Sequence, residues 1–296
     1  MAVFKSLIAK FLLVLMASLP IAIARSFSRL LGRSLWSFGG RSYRVTCRNI
    51  ELAYPELDGL AQSNLAKKSF LSTAELAGEM GWVWLRPWRK VQTKIKHVSG
   101  SELITDALEE GRGVVVLAPH LGNWEILGLH LGVLGQVVSL YEPVKLEMLS
   151  SLIVRARQRS GALLVPTTKR GLASLVKSVR AGHIAGILPD QVPTEGSSGE
   201  NAEFMGNSCF TGTLSSNIIR RTGALAVFGF AQRISGGFQI RYLPVSDKIY
   251  SEDISESLAA LNAGVEKCIS YCPEQYQWEY KRFRTHPREL SQVYKN

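Results

Sequence analysis

The chain predicts an α/β fold, with a mainly parallel central sheet flanked by helices, behind an N-terminal membrane-anchor helix. Three observations carry this. From Val91 onward, short runs rich in Val, Ile and Leu alternate with stretches of helical spacing, the pattern of parallel strands joined by crossover helices. Gly113 to Ala118 is apolar throughout, as a strand covered on both faces must be. No internal repeat or low-complexity tract interrupts the alternation, and 296 residues are ample for a full core.

The elements follow in order. Leu7 to Ala24 is apolar apart from Lys10, Ser18 and Pro20, just long enough to cross a bilayer as a helix. Ala22-Ile23-Ala24 resembles a leader cleavage site, with Lys5 and Lys10 as its basic region. Arg25, Arg29, Arg33, Arg41, Arg44 and Arg48 follow, and that density favours an uncleaved anchor, spanning or lying in the interface, with the rest of the chain on the cytoplasmic side. These arginines are then available to anionic headgroups. The expected organisation is an anchor over residues 1–25, a helical membrane-proximal segment over 26–90 and an α/β domain over 91–296. Ser42 to Tyr54 has helical spacing and stops before Pro55; Asp58 caps a helix running towards Leu85. Trp82, Trp84 and Trp88 near Arg86 suit either a membrane interface or an aromatic core. Strands are expected at 91–98, 113–118, 136–140, 163–166, 184–188, 224–232 and 238–243. Helices are expected at 101–110, 124–134, 146–159, 171–181, 213–222 and 254–271. Between them, Asp190 to Gly212 reads as a long irregular stretch, and loops of that length are usually functional or disordered.

The formal net charge of +11 points to an anionic partner: nucleic acid, anionic lipid or an acidic protein. Neither zinc-finger spacing nor an RNA-binding aromatic motif is present, which argues against nucleic acid. Cys47, Cys209, Cys268 and Cys272 form no metal or redox spacing and suit a reducing compartment. Cys268 and Cys272, one helical turn apart, read as small core residues.

The candidate chemistry lies in Ala118-Pro119-His120-Leu121-Gly122-Asn123-Trp124-Glu125. A neutral imidazole takes a proton from an alcohol near pH 7, and a carboxylate on its far nitrogen holds the tautomer. Five residues along one helix would turn the two side chains to different faces. They meet only if the chain bends between them, which Gly122 permits. His120 is therefore expected in a strand-to-helix turn, where open α/β sheets place their sites. No metal-binding spacing surrounds it, and His130 reads as a packed or helix-interior polar residue. Of Arg155, Arg157 and Arg159, at most one or two can face a site; the alternative is a solvated basic face. Asp190 closes the strand Gly186-Ile187-Leu188-Pro189 and is suited to orienting an Arg, binding a sugar hydroxyl or capping the loop. Thr211 and Thr213 flank a helix start, as caps or beside free N–H groups facing an anion. The absence of Gly-x-Ser-x-Gly argues against a serine hydrolase.

Taken together, these residues resemble the bacterial lipid A late acyltransferases, which are related to the glycerolipid acyltransferases. His120 to Glu125 is similar to the family's His-x4-Glu/Asp motif. Arg44 to Glu56 resembles its early helix ending in a Pro-Glu turn, and Arg157 falls at its substrate-site arginine. Leu188-Pro-Asp-Gln191, Phe204-Met-Gly206 and Thr211-Gly-Thr213 resemble the block after its central strand, and Gln275 to Phe283 its C-terminal signature. The resemblance implies an inner-membrane enzyme moving an acyl chain, lauroyl or similar, from acyl carrier protein to a hydroxyl of a lipid A precursor. It implies His120 as general base, Glu125 orienting it, and Arg157, Asp190 and Asn123 at the substrate, with no metal or cofactor. An acidic carrier protein suits the positive charge. Another glycolipid, an aminolipid or a lysophospholipid is the alternative acceptor, and a non-catalytic scaffold the alternative class. Chain-length choice would depend on the depth of an apolar channel whose floor the sequence does not locate.

Overall fold

The computed structural model describes residues 2–142, 147–286 and 292–294. Its first element is not one apolar helix but two, α1 (Ala2–Ser18) and α2 (Ile21–Ser37). Pro20 divides them, because it has no N–H to donate and pushes Leu19 out of the helical region. At 17 residues, α1 is roughly 25 Å long, short of the ~30 Å hydrocarbon core. Among the described residues no helix is long and apolar enough to cross a membrane. The expected transmembrane anchor is corrected accordingly. Both helices instead lie against the 27-residue α4 (Gly59–Leu85), which follows α3 (Arg41–Ala53). Asp58 caps α4 as expected, its carboxylate accepting from Ala61 N at 2.7 Å.

The α/β part runs α5 (Trp88–Gln92), β1 (Ile95–Ser99), α6 (Glu102–Glu109), β2 (Val114–Leu117), α7 (Trp124–Leu134), β3 (Val137–Tyr141), α8 (Glu147–Gln158), β4 (Leu163–Pro166), α9 (Lys169–Arg180) and β5 (Ile184–Ile187). The chain continues through β6 (Gly199–Phe204), β7 (Asn207–Gly212), α10 (Leu214–Thr222), β8 (Leu225–Ile234), β9 (Gly237–Pro244) and α11 (Ile254–Ile269). Seven strands form one sheet in the order β1-β9-β8-β2-β5-β3-β4, parallel except for the β8–β9 hairpin. The mixed α/β architecture with a mostly parallel sheet is thus as expected. β2, at the centre, is fully buried, and one core cluster covers each face of the sheet.

Two expectations need correction besides the anchor. The strand predicted from Val91 begins only at Ile95, because Pro87, at the N-cap, presets a short helix over the preceding residues. The stretch from Asp190 to Gly212 is not wholly irregular: half of it is the β6–β7 hairpin, closed by Met205 and Gly206 with φ of 50° and 69°, the geometry of a two-residue primed turn. Leu146, the expected start of a helix, lies outside the described residues.

Candidate active site

β2 and β5 are neighbours, with Leu117 paired to Ile187. Their chains leave the sheet side by side, so His120 and Asp190, each three residues past that pair, meet at its C-terminal edge. Asp190 Oδ1 lies 2.8 Å from His120 Nδ1, and Asp190 Oδ2 accepts the His120 backbone N–H at 2.9 Å. Asp190 is buried. Burial pushes the Asp190 carboxyl up, but the His120 ring and its two N–H groups outweigh this and hold it below its ordinary value. A carboxylate only accepts, so Nδ1 carries the proton and Nε2 a lone pair. The Gln191 amide, 3.1 Å from Nε2, fits the same tautomer as a donor. Trp124 stands edge-on to the ring at 5.0 Å.

The carboxylate on His120 is therefore Asp190, not Glu125. Glu125 turns to Arg157: the Arg157 Nε donates to its two oxygens at 3.2 and 3.0 Å, and Nη2 to Oε1 at 2.6 Å. Burial would depress the Arg157 guanidinium, but the bonds to Glu125 raise it above its ordinary value. The Arg157 side chain remains 34% exposed, so it reaches the cleft while Glu125 stays covered. His120, Trp124, Glu125, Arg157, Gln191 and Gln277 line one open cleft of about 450 Å³, roofed by Leu76, Met80 and Trp84 of α4. Of Arg155 and Arg157 on α8 and Arg159 just past its end, only Arg157 lines it. Arg159 donates to the backbone carbonyls of Val83, Trp84 and Arg86 instead.

The turn between His120 and Glu125 is rigidly held. Gly122 has φ of 62°, and a Cβ there would stand 2.1 Å from Ala231 O, so only glycine fits. Its N–H donates to Gln275 O, and Gln277 N–H donates to His120 O. Asn123, expected at the substrate, is fully buried. Its Oδ1 caps α7 by accepting from Ile126 N at 3.1 Å, and its Nδ2 donates to Glu79 Oε2 at 2.9 Å. Both ends are engaged within the protein, so it supports the turn. Asp190, also expected at the substrate, is occupied by His120.

Glu79, Arg25 and Arg233 form a buried network that sequence reasoning missed. Arg233 donates to Glu79 through Nε and Nη2 at 2.6 and 3.0 Å, and Arg25 Nε donates at 2.6 Å. Burial raises the Glu79 carboxyl, but Arg233, Arg25 and Asn123 together hold it below its ordinary value. Glu79 stands as the one acid in the apolar run Leu76-Ala-Gly-Glu-Met-Gly-Trp82, which was its only sequence signal. Arg25, expected at lipid headgroups, points inward. Thr211 is buried and accepts from Arg282 and Asn262, while Thr213, at the N-cap of α10, bonds Ser198 O and gives the helix no side-chain cap. His130 packs against Tyr242, its Nδ1 2.9 Å from the phenol oxygen, and Cys268 and Cys272 are core residues, as expected.

A histidine ring backed by a buried aspartate, with a carboxylate-held guanidinium across one cleft, is an arrangement suited to activating a hydroxyl for group transfer. Residues 3–285 match the family described as bacterial lipid A biosynthesis acyltransferase, and the chain belongs to it. It is 27% identical over 282 residues to the lipid A biosynthesis lauroyltransferase of Escherichia coli (strain K12), covering 95% of this chain and 91% of that one. The palmitoleoyltransferase of the same strain is 25% identical over 282 residues, again 95% and 91% of the two chains. Its myristoyltransferase is 23% identical over 274 residues, 90% of this chain and 82% of that one. The protein is therefore an acyltransferase of lipid A biosynthesis.

Proposed function

We propose that this protein transfers a fatty acyl chain, lauroyl or similar, from an acyl carrier protein thioester to a hydroxyl of a lipid A precursor. One observation carries the reading: His120 lines the cleft with Nδ1 tied to Asp190, which leaves Nε2, 3.1 Å from the Gln191 amide, as the nitrogen that takes a proton once the acceptor hydroxyl displaces that amide. His120 removes the proton of the acceptor hydroxyl as its oxygen attacks the thioester carbonyl. The tetrahedral oxyanion then collapses, the C–S bond breaks, and His120 returns the proton to the departing thiolate. Asp190 stabilises the imidazolium between these steps, and no acyl-enzyme is required. Arg157, oriented by Glu125, holds an acceptor phosphate or the oxyanion. Glu125 thus acts on the guanidinium rather than on the ring.

The setting is the cytoplasmic face of the inner membrane, with α1 and α2 lying in the interface. Phe11, Leu12 and Leu15 of α1 and Phe27, Leu30, Leu31 and Leu35 of α2 are exposed, an apolar face of the kind that enters the headgroup boundary. The exposed Arg33, Arg41 and Arg44 suit anionic headgroups or an acidic carrier protein.

The test is acyl transfer from lauroyl carrier protein to a tetra-acylated precursor, with mass spectrometry of lipid A from cells with and without the protein. The expected result is one acyl chain more with it, abolished by His120→Ala. Product on another lipid but none on the precursor overturns the acceptor. Full activity of His120→Ala overturns the mechanism.

A further inference from the structure

Trp84 borders two spaces. One is the catalytic cleft. The other is an open pocket of about 530 Å³ between α1, the end of α4 and α8, which the mechanism above does not use. Four cations line it, Lys10, Arg86, Arg155 and Arg159, and among the described residues no acid does. Arg86 donates to the carbonyls of Ala17 and Ser18 at 2.5 and 3.1 Å. Arg159 is held by the carbonyls of Val83, Trp84 and Arg86. Carbonyl dipoles fix a guanidinium in place but carry no net charge, so both arginines keep most of their charge for a ligand. Lys10 and Arg155 are exposed and enter no ion pair among the described residues.

The unpartnered atoms agree. Trp84 Nε1 and Arg159 Nε are buried N–H groups without an acceptor among the described residues, a cost that a ligand oxygen would remove. Burial lowers the Arg159 guanidinium from its ordinary value, with Glu125 acting against it. Apart from the Ser151 hydroxyl, every polar side chain at the wall can only donate. Such a wall selects a group that only accepts, and its charge selects an anion. Leu13, Leu85, Leu152 and Ala156 add apolar surface, so the anion is one carried on a lipid. A phosphate monoester fits: it brings a charge of about −1.5 to −2 near pH 7 and three acceptor oxygens, matched to planar guanidinium forks. A zwitterionic headgroup would set its own cation against four others.

We propose that this pocket binds a phosphate monoester of the acceptor lipid while the acceptor's hydroxyl lies in the cleft, the two parts meeting at Trp84. The inference rests on the acyl-transfer reading and adds what holds the acceptor away from its reacting oxygen. Two points of attachment orient one hydroxyl among several toward His120. They also leave Arg157, which Glu125 holds at the cleft, for the oxyanion at the thioester carbonyl.

The experiment uses the full-length protein with two acceptors: the tetra-acylated precursor and the same lipid stripped of its phosphates by a phosphatase. Lys10→Gln with Arg155→Gln removes the two exposed cations, and a thermal melt confirms that the variant folds. It is expected to raise the KM of the phosphorylated acceptor about tenfold, a figure discounted for exposure, with kcat and the donor KM unmoved. On the stripped acceptor, parent and variant should share one raised KM, because the group that the cations bind is gone. Lys10→Arg with Arg155→Lys should restore the parental value. Arg89→Gln with Lys90→Gln, exposed on α5 and away from the pocket lining, removes as much charge and leaves the ratio of the two KM values unchanged. A fall in kcat, or an equal rise in KM on both acceptors, overturns the assignment. So does parental discrimination by the double variant together with weakened binding to phosphatidylglycerol vesicles, which gives the pocket to bilayer headgroups instead. Equilibrium binding of the two lipids in detergent micelles reads the pocket without turnover. Phosphate-dependent binding that the double variant loses supports the pocket even if no acyl chain is transferred, and that failure then counts against the transfer reaction alone. A preference for phosphate that the double variant keeps overturns the pocket.

Discussion

Replacing Asp190 by Asn isolates the contact on which proton transfer rests. The change keeps the side-chain shape but removes the charge facing His120 Nδ1 across 2.8 Å. For full charges at that separation and an effective dielectric near 20, Coulomb's law gives about 6 kcal/mol of stabilisation for the imidazolium. The charge is only partly developed at the transition state, so a loss of about 10³–10⁴ in kcat is expected at ~1.4 kcal/mol per tenfold. A second effect adds to the first. The new amide can donate to Nδ1, which moves the ring proton to Nε2 and removes the lone pair that accepts from the acceptor hydroxyl. The assay is initial-rate transfer from lauroyl carrier protein to the tetra-acylated precursor, with kcat and KM resolved and a thermal melt confirming the fold. Because the aspartate works on the ring and not on either substrate, both KM values should move little. If Asp190→Asn keeps more than a tenth of the parental kcat, the ring does not depend on this carboxylate and the catalytic pairing is wrong.

Other expectations follow from the same geometry. Glu125→Gln and Arg157→Lys, alone and combined, should show a coupling of about 1 kcal/mol or more in kcat/KM, discounted for the exposure of Arg157; below ~0.5 kcal/mol the contact is idle. Glu79→Gln leaves Arg233 only the longer 3.7 Å pair with Glu75 and Arg25 only backbone carbonyls, and should cost about 3 kcal/mol, lowering the melting temperature on the order of 10 °C. Because the folded Glu79 and Asp190 carboxyls sit below their unfolded values, the unfolded chain binds protons more readily. Their stabilisation is present above pH ~4 and is lost as pH falls through the folded values. Glu79→Gln should therefore flatten the acid limb of a stability profile, and an unchanged limb assigns it to other groups. Gly122→Ala must place a methyl 2.1 Å from Ala231 O at a positive φ, and a melt should show a loss of at least ~2 kcal/mol. Leu30→Glu with Leu31→Glu should release the protein from anionic vesicles, and undiminished binding would place the membrane contact elsewhere.

His120 was legible because a run of buried residues ending in Ala-Pro-His announces the edge of a sheet. The alternation of strands and helices was legible because a parallel sheet needs crossovers of that length. The partner of His120 was not, since proximity along the chain favoured Glu125 while register favoured Asp190. Only the pairing of Leu117 with Ile187 brings residues seventy positions apart to one edge. The Glu79–Arg233 pair spans 154 positions and leaves no local trace beyond one acid among apolar neighbours. Pro20 was visible, but composition weighed more than its backbone restriction when the anchor was read as continuous. The β6–β7 hairpin escaped because Glu200 and Asn201, adjacent and both polar, interrupt its alternation, leaving Met205-Gly206 as the one turn signal.

The backbone bonds from Gln275 to Gly122 and from Gln277 to His120 bear on biogenesis. The segment that clamps the catalytic turn is translated about 150 residues after the turn itself. While a ribosome still holds those residues, the imidazole has no fixed seat, although α1 and α2 have long since emerged. A nascent chain that lacks those residues is thus expected to be inactive, and truncation before Gln275 to abolish acyl transfer while leaving α1 to α4 in the product.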